Sequence, residues 1–419
     1  MKRHVSATRL FATSTLSLLL IGCGSGSAPA PAPAAQSGAP AARNSHQDWP
    51  TGDYKVAEGW PKPLPDTDHS HAGWTWGSFG GVYAENPDRI WVAMRGELPL
   101  PDGAKPWTPY VALQPPRGNS TGNGDGLTAT CQPEPKRGWE RRFMHSIIVF
   151  NQAGDLVDQW PHLDKLFAQL PCGRGPHQVK ISPYDKEKHV WIVDDDMHQI
   201  MIFSNDGKLL KTMGERGVPG RDANHFNRPT DIAWLPDGTF FVADGYAGTR
   251  VAKFDPTGKF MKDWGRPPVD PANPKAYEFW SVHSIGISRD RRLFVADRQH
   301  HRMQVFDEDG NFLTMWPTGY NSSVLSHIVT NDDHVWVADW TTNRLIKYDL
   351  DGHYLLDIGG PGSLPGQFDG VHQIHVDSER NLYVTEVANS RSQMFRPKPN
   401  ADPNRLIGPM AIVDPVRKR

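Results

Sequence analysis

Short apolar runs, each closed by Asp, Asn, Ser or Gly, follow one another from Trp74 to Phe395. Runs this short with such frequent turn residues read as strands and not helices. They also repeat. The phrase "VWIVDDDMHQIMIFSNDGKLLKTMG" at 190–214 returns as "FFVADGYAGTRVAKFDPTGKFMKDWG" at 240–265, as "LFVADRQHHRMQVFDEDGNFLTMW" at 293–316 and as "VWVADWTTNRLIKYDLDGHYLLDIG" at 335–359. Each phrase holds a strand ending in Asp, a second ending in Phe or Tyr, a turn with its own glycine, and a third strand. The turn glycines are Gly154, Gly207, Gly258, Gly310 and Gly352. With a further strand before each phrase, four short strands recur roughly every fifty residues, which predicts an all-β fold, a β-propeller.

Counting from Trp74 gives six units, hence a six-bladed ring. The first is split by an insert, 97–145, between "GGVYAENPDRIWVAMRG" and "SIIVFNQAGDLVDQW". The last, "VHQIHVDSERNLYVTEVANSRSQMF", stops after its third strand. An open edge invites aggregation. Residues 53–61, "DYKVAEGWP", end as the outer strands "LVDQWP" and "FLTMWP" do, and are expected to complete blade six. The propeller is therefore expected over 46–398, with 399–419 as a C-terminal tail.

In such a ring the start of the first strand and the end of the second share one face. Aligned on Asp195, Asp244, Asp297, Asp339 and Glu386, with Met94 in blade one, the first strands begin at Gly80, His177, Thr230, His283, Ser326 and His372. The histidines fall on blades two, four and six. Alternate blades are about a third of a turn apart, so three such side chains converge on the axis. Three imidazoles suit Zn²⁺ and leave one coordination position for water or substrate, the arrangement of a catalytic metal. At the same mouth stand Arg95, Arg298 and Tyr246, candidates for a carboxylate clamp and a proton-transferring phenol. The aligned acids recur in every complete blade and read as structural. His198, His300 and His301 follow no repeat and are expected to face solvent.

Lys+Arg 45 against Asp+Glu 47 leaves the chain nearly neutral, with no basic run, so nucleic acid is not expected as a partner. The start, "MKRHVSATRLFATSTLSLLLIGC", joins a basic end to an apolar stretch too short to span a membrane. It resembles a bacterial lipoprotein signal over 1–22, which implies lipidation of Cys23 and a membrane anchor. Gly24 follows where inner-membrane retention would use Asp, which implies an outer-membrane anchor facing the periplasm. Residues 23–45, rich in Gly, Ser, Ala and Pro, read as a tether. The other cysteines, Cys131 and Cys172, can pair as one disulfide or stand as two thiols. The insert is either a lid over the site or a decorative loop.

The chain resembles the peptidyl-α-hydroxyglycine α-amidating lyases, six-bladed propellers with NHL-type repeats. The resemblance runs from about Trp74 to Phe395 and is most specific in "GERGVPGRDANHFNRPTDIAW", "FVADGYAGTRVAKFDPTGKF" and "VHSIGISRDRRLFVADR". It implies that His177, His283 and His372 hold a catalytic zinc, that Tyr246 is the general base, and that Arg95 and Arg298 are the active-site arginines. The substrate is then a peptide or small molecule with a free carboxylate, cleaved at a C–N bond to a primary amide and glyoxylate. The family's structural calcium takes an aspartate that reads Gln373 here, leaving the backbone carbonyl of Val179 as its matching ligand. The family's methionine before the last histidine is Gly370, and its cysteine beside the tyrosine is Ala247, which alters the pocket wall. No copper monooxygenase segment accompanies the repeats. The competing readings are a non-catalytic binding propeller in the cell envelope, since fold does not fix function, and a metal-dependent lyase or hydrolase for another substrate, such as a lactonase. Lactonase-type sites use oxygen ligands, which three histidines disfavour.

Overall fold

The computed structural model describes residues 51–63, 74–99, 142–169 and 174–414. The signal segment with Cys23, the tether, Cys131, Cys172, most of the insert and residues 415–419 lie outside the described residues. What is described forms six four-stranded antiparallel sheets arranged as a propeller. Their inner strands are Phe79–Asn86, Gln178–Ile181, Pro229–Trp234, Val282–Ile287, Val324–Val329 and Val371–Val376.

Burial follows from the ring. The first three strands of a blade are sandwiched between neighbouring sheets, so Phe240–Asp244 and Arg250–Phe254 are buried throughout. The outermost strand faces water, and Leu209–Met213 is exposed at every residue but the last. That last residue matters for closure. Trp264 ends the outer strand of blade three, Trp316 stands one residue before the end of blade four's, and both pack under the next blade's turn. A Cβ at Gly310 would stand 2.6 Å from the Trp264 ring, and one at Gly352 would stand 2.3 Å from Trp316, so the repeating turn glycine makes room for the preceding blade's tryptophan.

Tyr54–Val56 pairs antiparallel with Arg391–Pro397 and supplies the fourth strand of blade six, as its sequence suggested. Trp60 then joins the core of blade one beside Phe150 and Tyr383. The C-terminal residues, expected as a tail, instead form a strap across the face opposite the histidines. The Ile407 N–H donates to Tyr54 Oη at 2.9 Å, Ala411 N–H to the Val329 carbonyl at 2.7 Å, and Val413 N–H to Tyr184 Oη at 2.8 Å. Leu406, Ile407, Ala411 and Val413 are buried between blades, which is why this apolar segment does not hang free. Above the strap lies a cavity of about 50 Å³ lined by Tyr83, Lys180, His327 and Met410 among others. Lys180 Nζ pairs there with Asp231 at 2.5 Å.

Two predictions follow from this architecture. Deleting residues 51–61 leaves blade six with three strands and frees Ile407, so the melting temperature should fall by ten degrees or more, on the order of several kcal/mol; an unchanged melt would contradict the closure. Burial pushes His327 down to about 4 and His375 to about 3, from 6.5. Both stay neutral in the fold while the unfolded chain takes up protons, so their contribution is full above pH 6.5 and is lost as pH falls towards 4 for His327 and towards 3 for His375. By linkage His327 alone accounts for about 2 kcal/mol between pH 7 and pH 5, and urea unfolding of His327→Gln should show a pH dependence shallower by that amount.

Candidate metal centre

Each histidine reaches the axis through a break in strand pairing. Val282 pairs with Asp297 and Ser284 with Ala296, which leaves His283 as an extra residue, a β-bulge that turns its side chain inward. The same shift leaves out Gly80, Thr230 and Leu325, and a wider one contains His372. His177 precedes its strand and donates its N–H to the Val193 carbonyl at 2.8 Å. The strand pairing corrects the sequence alignment in two places. Blade five presents Leu325 and not Ser326, and the acid ending the second strand of blade two is Asp194, not Asp195.

The three rings meet with centroids 5.1, 4.9 and 5.5 Å apart, and one ligand nitrogen from each lies within 4.8 Å of the others. Among the described residues this is the only such cluster. Every ring bonds to the next odd blade. His177 Nδ1–H donates to the Thr230 carbonyl at 3.1 Å, His283 Nδ1–H to Leu325 at 2.7 Å and His372 Nδ1–H to Gly80 at 2.5 Å. A carbonyl can only accept, so the proton sits on Nδ1 and the Nε2 lone pairs face the axis. Burial, with Arg95, Arg174 and Arg298 nearby, keeps all three neutral and pushes His177 down to about 3. Neutral nitrogen donors with fixed tautomers fit a divalent transition metal with an open position. Gly80 is the small member of the ring because a Cβ there would stand 2.8 Å from the Pro176 carbonyl. Gln373 brings no carboxylate to the axis for calcium, and Val179, whose carbonyl was the remaining candidate, lies buried in its strand.

Tyr246 Oη lies 2.8 Å from His283 Nε2 and 3.3 Å from His177 Nε2. Guanidinium groups surround its ring, with Arg228 at 4.5 Å, Arg174 at 5.3 Å and Arg298 at 5.9 Å. Arg298 also donates from Nε to Ser323 Oγ at 2.9 Å. Arg174 and Arg228 went unnoticed in the sequence. Both pair with Asp195 and Asp196, which hold them over the phenol. Their signal was the run Asp194-Asp195-Asp196, which offers carboxylates to both. The remaining strand-end acids are structural, as expected: Asp244, Asp297 and Glu386 pair with Arg250, Arg302 and Arg391 at 2.8, 2.9 and 2.7 Å. The histidines expected in solvent are partly buried. His198 and His301 take the left-handed turn position shared with Thr249, Asn343 and Ser390, and the His300 ring lies against Asp297.

No family model matches the chain. Its curated relatives include amidating enzymes. It is 37% identical over 139 residues to the peptidyl-glycine alpha-amidating monooxygenase of Mus musculus, covering 32% of this chain and 14% of that protein. It is 30% identical over 226 residues to peptidyl-alpha-hydroxyglycine alpha-amidating lyase 2 of Drosophila melanogaster, covering 49% and 53%. The chain has homologues among the amidating lyases. It also matches NHL repeat-containing protein 3 of Homo sapiens at 27% over 210 residues, covering 48% and 56%. The chain thus spans about half the length, or less, of the curated relatives it matches. Among solved structures, virginiamycin B lyase from Staphylococcus aureus aligns at 14% identity and a TM-score of 0.47 over 82% of this chain and 99% of that one. Of the residues that likeness to the amidating lyases singled out, His177, His283, His372, Tyr246, Arg95 and Arg298 come together at one mouth.

The centre should bind about one equivalent of divalent cobalt, with a visible absorption reporting nitrogen coordination. His283→Ala should weaken binding at least a hundredfold with little change in circular dichroism. Equal binding by that variant would remove the triad as the metal site.

Proposed function

We propose that this chain is a zinc-dependent lyase that cleaves the C–N bond of a peptidyl- or acyl-α-hydroxyglycine, giving a primary amide and glyoxylate. The observation that carries the reading is the convergence of three neutral, Nδ1-bonded imidazoles with Tyr246 Oη 2.8 Å from one of them. The amidating-lyase relatives support the same chemistry.

Zinc held by His177, His283 and His372 would supply Lewis acidity toward the substrate hydroxyl oxygen. Arg95 and Arg298 bind the substrate carboxylate through paired N–H donors, which fixes the carbinol carbon at the axis. Tyr246 Oη takes the hydroxyl proton as general base. The C–N bond breaks as the C=O bond forms, and the proton ends on the departing amide nitrogen, so none is consumed overall. Arg174 and Arg228, anchored by Asp195, hold the phenol ring against the histidines. The triad is buried, which keeps water from competing for the site. In the cell we place the ring outside the cytoplasm, anchored by a lipid on Cys23 to an outer membrane and facing the periplasm.

The full chain loaded with zinc should release glyoxylate from an N-acyl-α-hydroxyglycine and lose that activity to a chelator. Tyr246→Phe should keep its metal and lose about 10²- to 10⁴-fold in kcat. A fully active Tyr246→Phe enzyme removes the tyrosine from the mechanism, and a folded, zinc-loaded protein that releases no glyoxylate removes the reaction.

A further inference from the structure

The residue after each second strand occupies one ring of the mouth. Arg95, Gly245, Arg298, Trp340 and Val387 all donate their backbone N–H to the loop entering the same blade, at 2.8 to 3.2 Å, and Asp195 takes this place in blade two. The chemistry of that ring changes around the axis. Blades one to four present Arg95, Asp195 with its two arginines, Tyr246 beside Gly245, and Arg298. Blades five and six present Trp340, Val387 and then Ala388.

The apolar sector has a built wall. A Cβ at Gly370 would stand 3.0 Å from the Trp340 indole and 2.8 Å from Ala388 Cβ, and Gly370 has φ +72. Trp340 therefore closes over a position that carries no side chain of its own, two residues from the ligand His372. Further out, in the loop that leads into blade five, Tyr320 is fully exposed. Large aromatic surface left in water is surface that a ligand can cover. A substrate whose carboxylate lies on the arginine side must send its acyl group away from them, because the two groups leave the carbinol carbon in different directions.

Resting on the lyase reading, we propose that blades five and six form an apolar acyl subsite walled by Trp340, so that the chain takes α-hydroxyglycines with a bulky apolar or aromatic acyl group over small or anionic ones. The test compares kcat/KM for glyoxylate release from N-acetyl-, N-succinyl- and N-phenylacetyl-α-hydroxyglycine by the zinc-loaded full chain. The phenylacetyl substrate should be favoured about tenfold or more over the other two. Trp340→Ala should bring the phenylacetyl-to-acetyl ratio towards one through KM and not kcat, and Trp340→Leu should give an intermediate ratio. A ratio near one in the unmodified protein overturns the subsite, as does a ratio that both variants preserve. Release from none of the three substrates overturns the lyase reading itself, and the subsite with it.

Discussion

The site depends on one repeated hydrogen bond, from a histidine Nδ1 on an even blade to the carbonyl at the strand head of the next odd blade. It fixes each ring's tautomer, aims Nε2 at the axis and ties three pairs of blades together. The odd blades need no special side chain for this, because the backbone oxygen does the work. Thr230 and Leu325 can therefore differ in size and polarity, while Gly80 lacks a side chain for the separate reason that a Cβ there would meet the Pro176 carbonyl. Steric room sets the alternation, since a ring of six imidazoles at this radius would crowd the axis.

What makes the bond available is the bulge at the strand head. A regular strand would turn these side chains into the contacts between blades, whereas the extra residue re-aims them inward and frees the neighbouring carbonyl. The bulge holds its shape because the surrounding blades leave no alternative. Strand-end acids such as Asp297 accept the N–H of the entering loop from one side and a buried arginine from the other, so each entry to the mouth is pinned. Removing one partner would strand a buried charge, which costs about 3–5 kcal/mol.

Much of this was legible in the sequence. The turn glycines, the strand phrases and the closing segment around Tyr54 carry their signal in hydrophobic alternation, and the histidines stood out once the repeats were aligned. The bulge was not legible, because one extra residue leaves the apolar pattern unchanged while moving the register. Ser326 and Asp195 were placed one residue from their structural equivalents, Leu325 and Asp194. Arg174 and Arg228 were hidden for a related reason, since their role depends on which face of Tyr246 they cover. The C-terminal strap, although apolar, shows neither strand nor helix periodicity that would announce it as core, yet Leu406, Ile407, Ala411 and Val413 each find a seam between blades.

The bond between Tyr54 and the Ile407 backbone joins the two ends of the ring, and the bond between His372 and Gly80 spans 292 residues. Contacts of such separation carry a large loop-closure cost. The metal centre is complete only when the last blade has met the first. Metal uptake thus becomes a chemical signature of a finished ring: a chain arrested at five blades holds His177 and His283 but has no third ligand to offer.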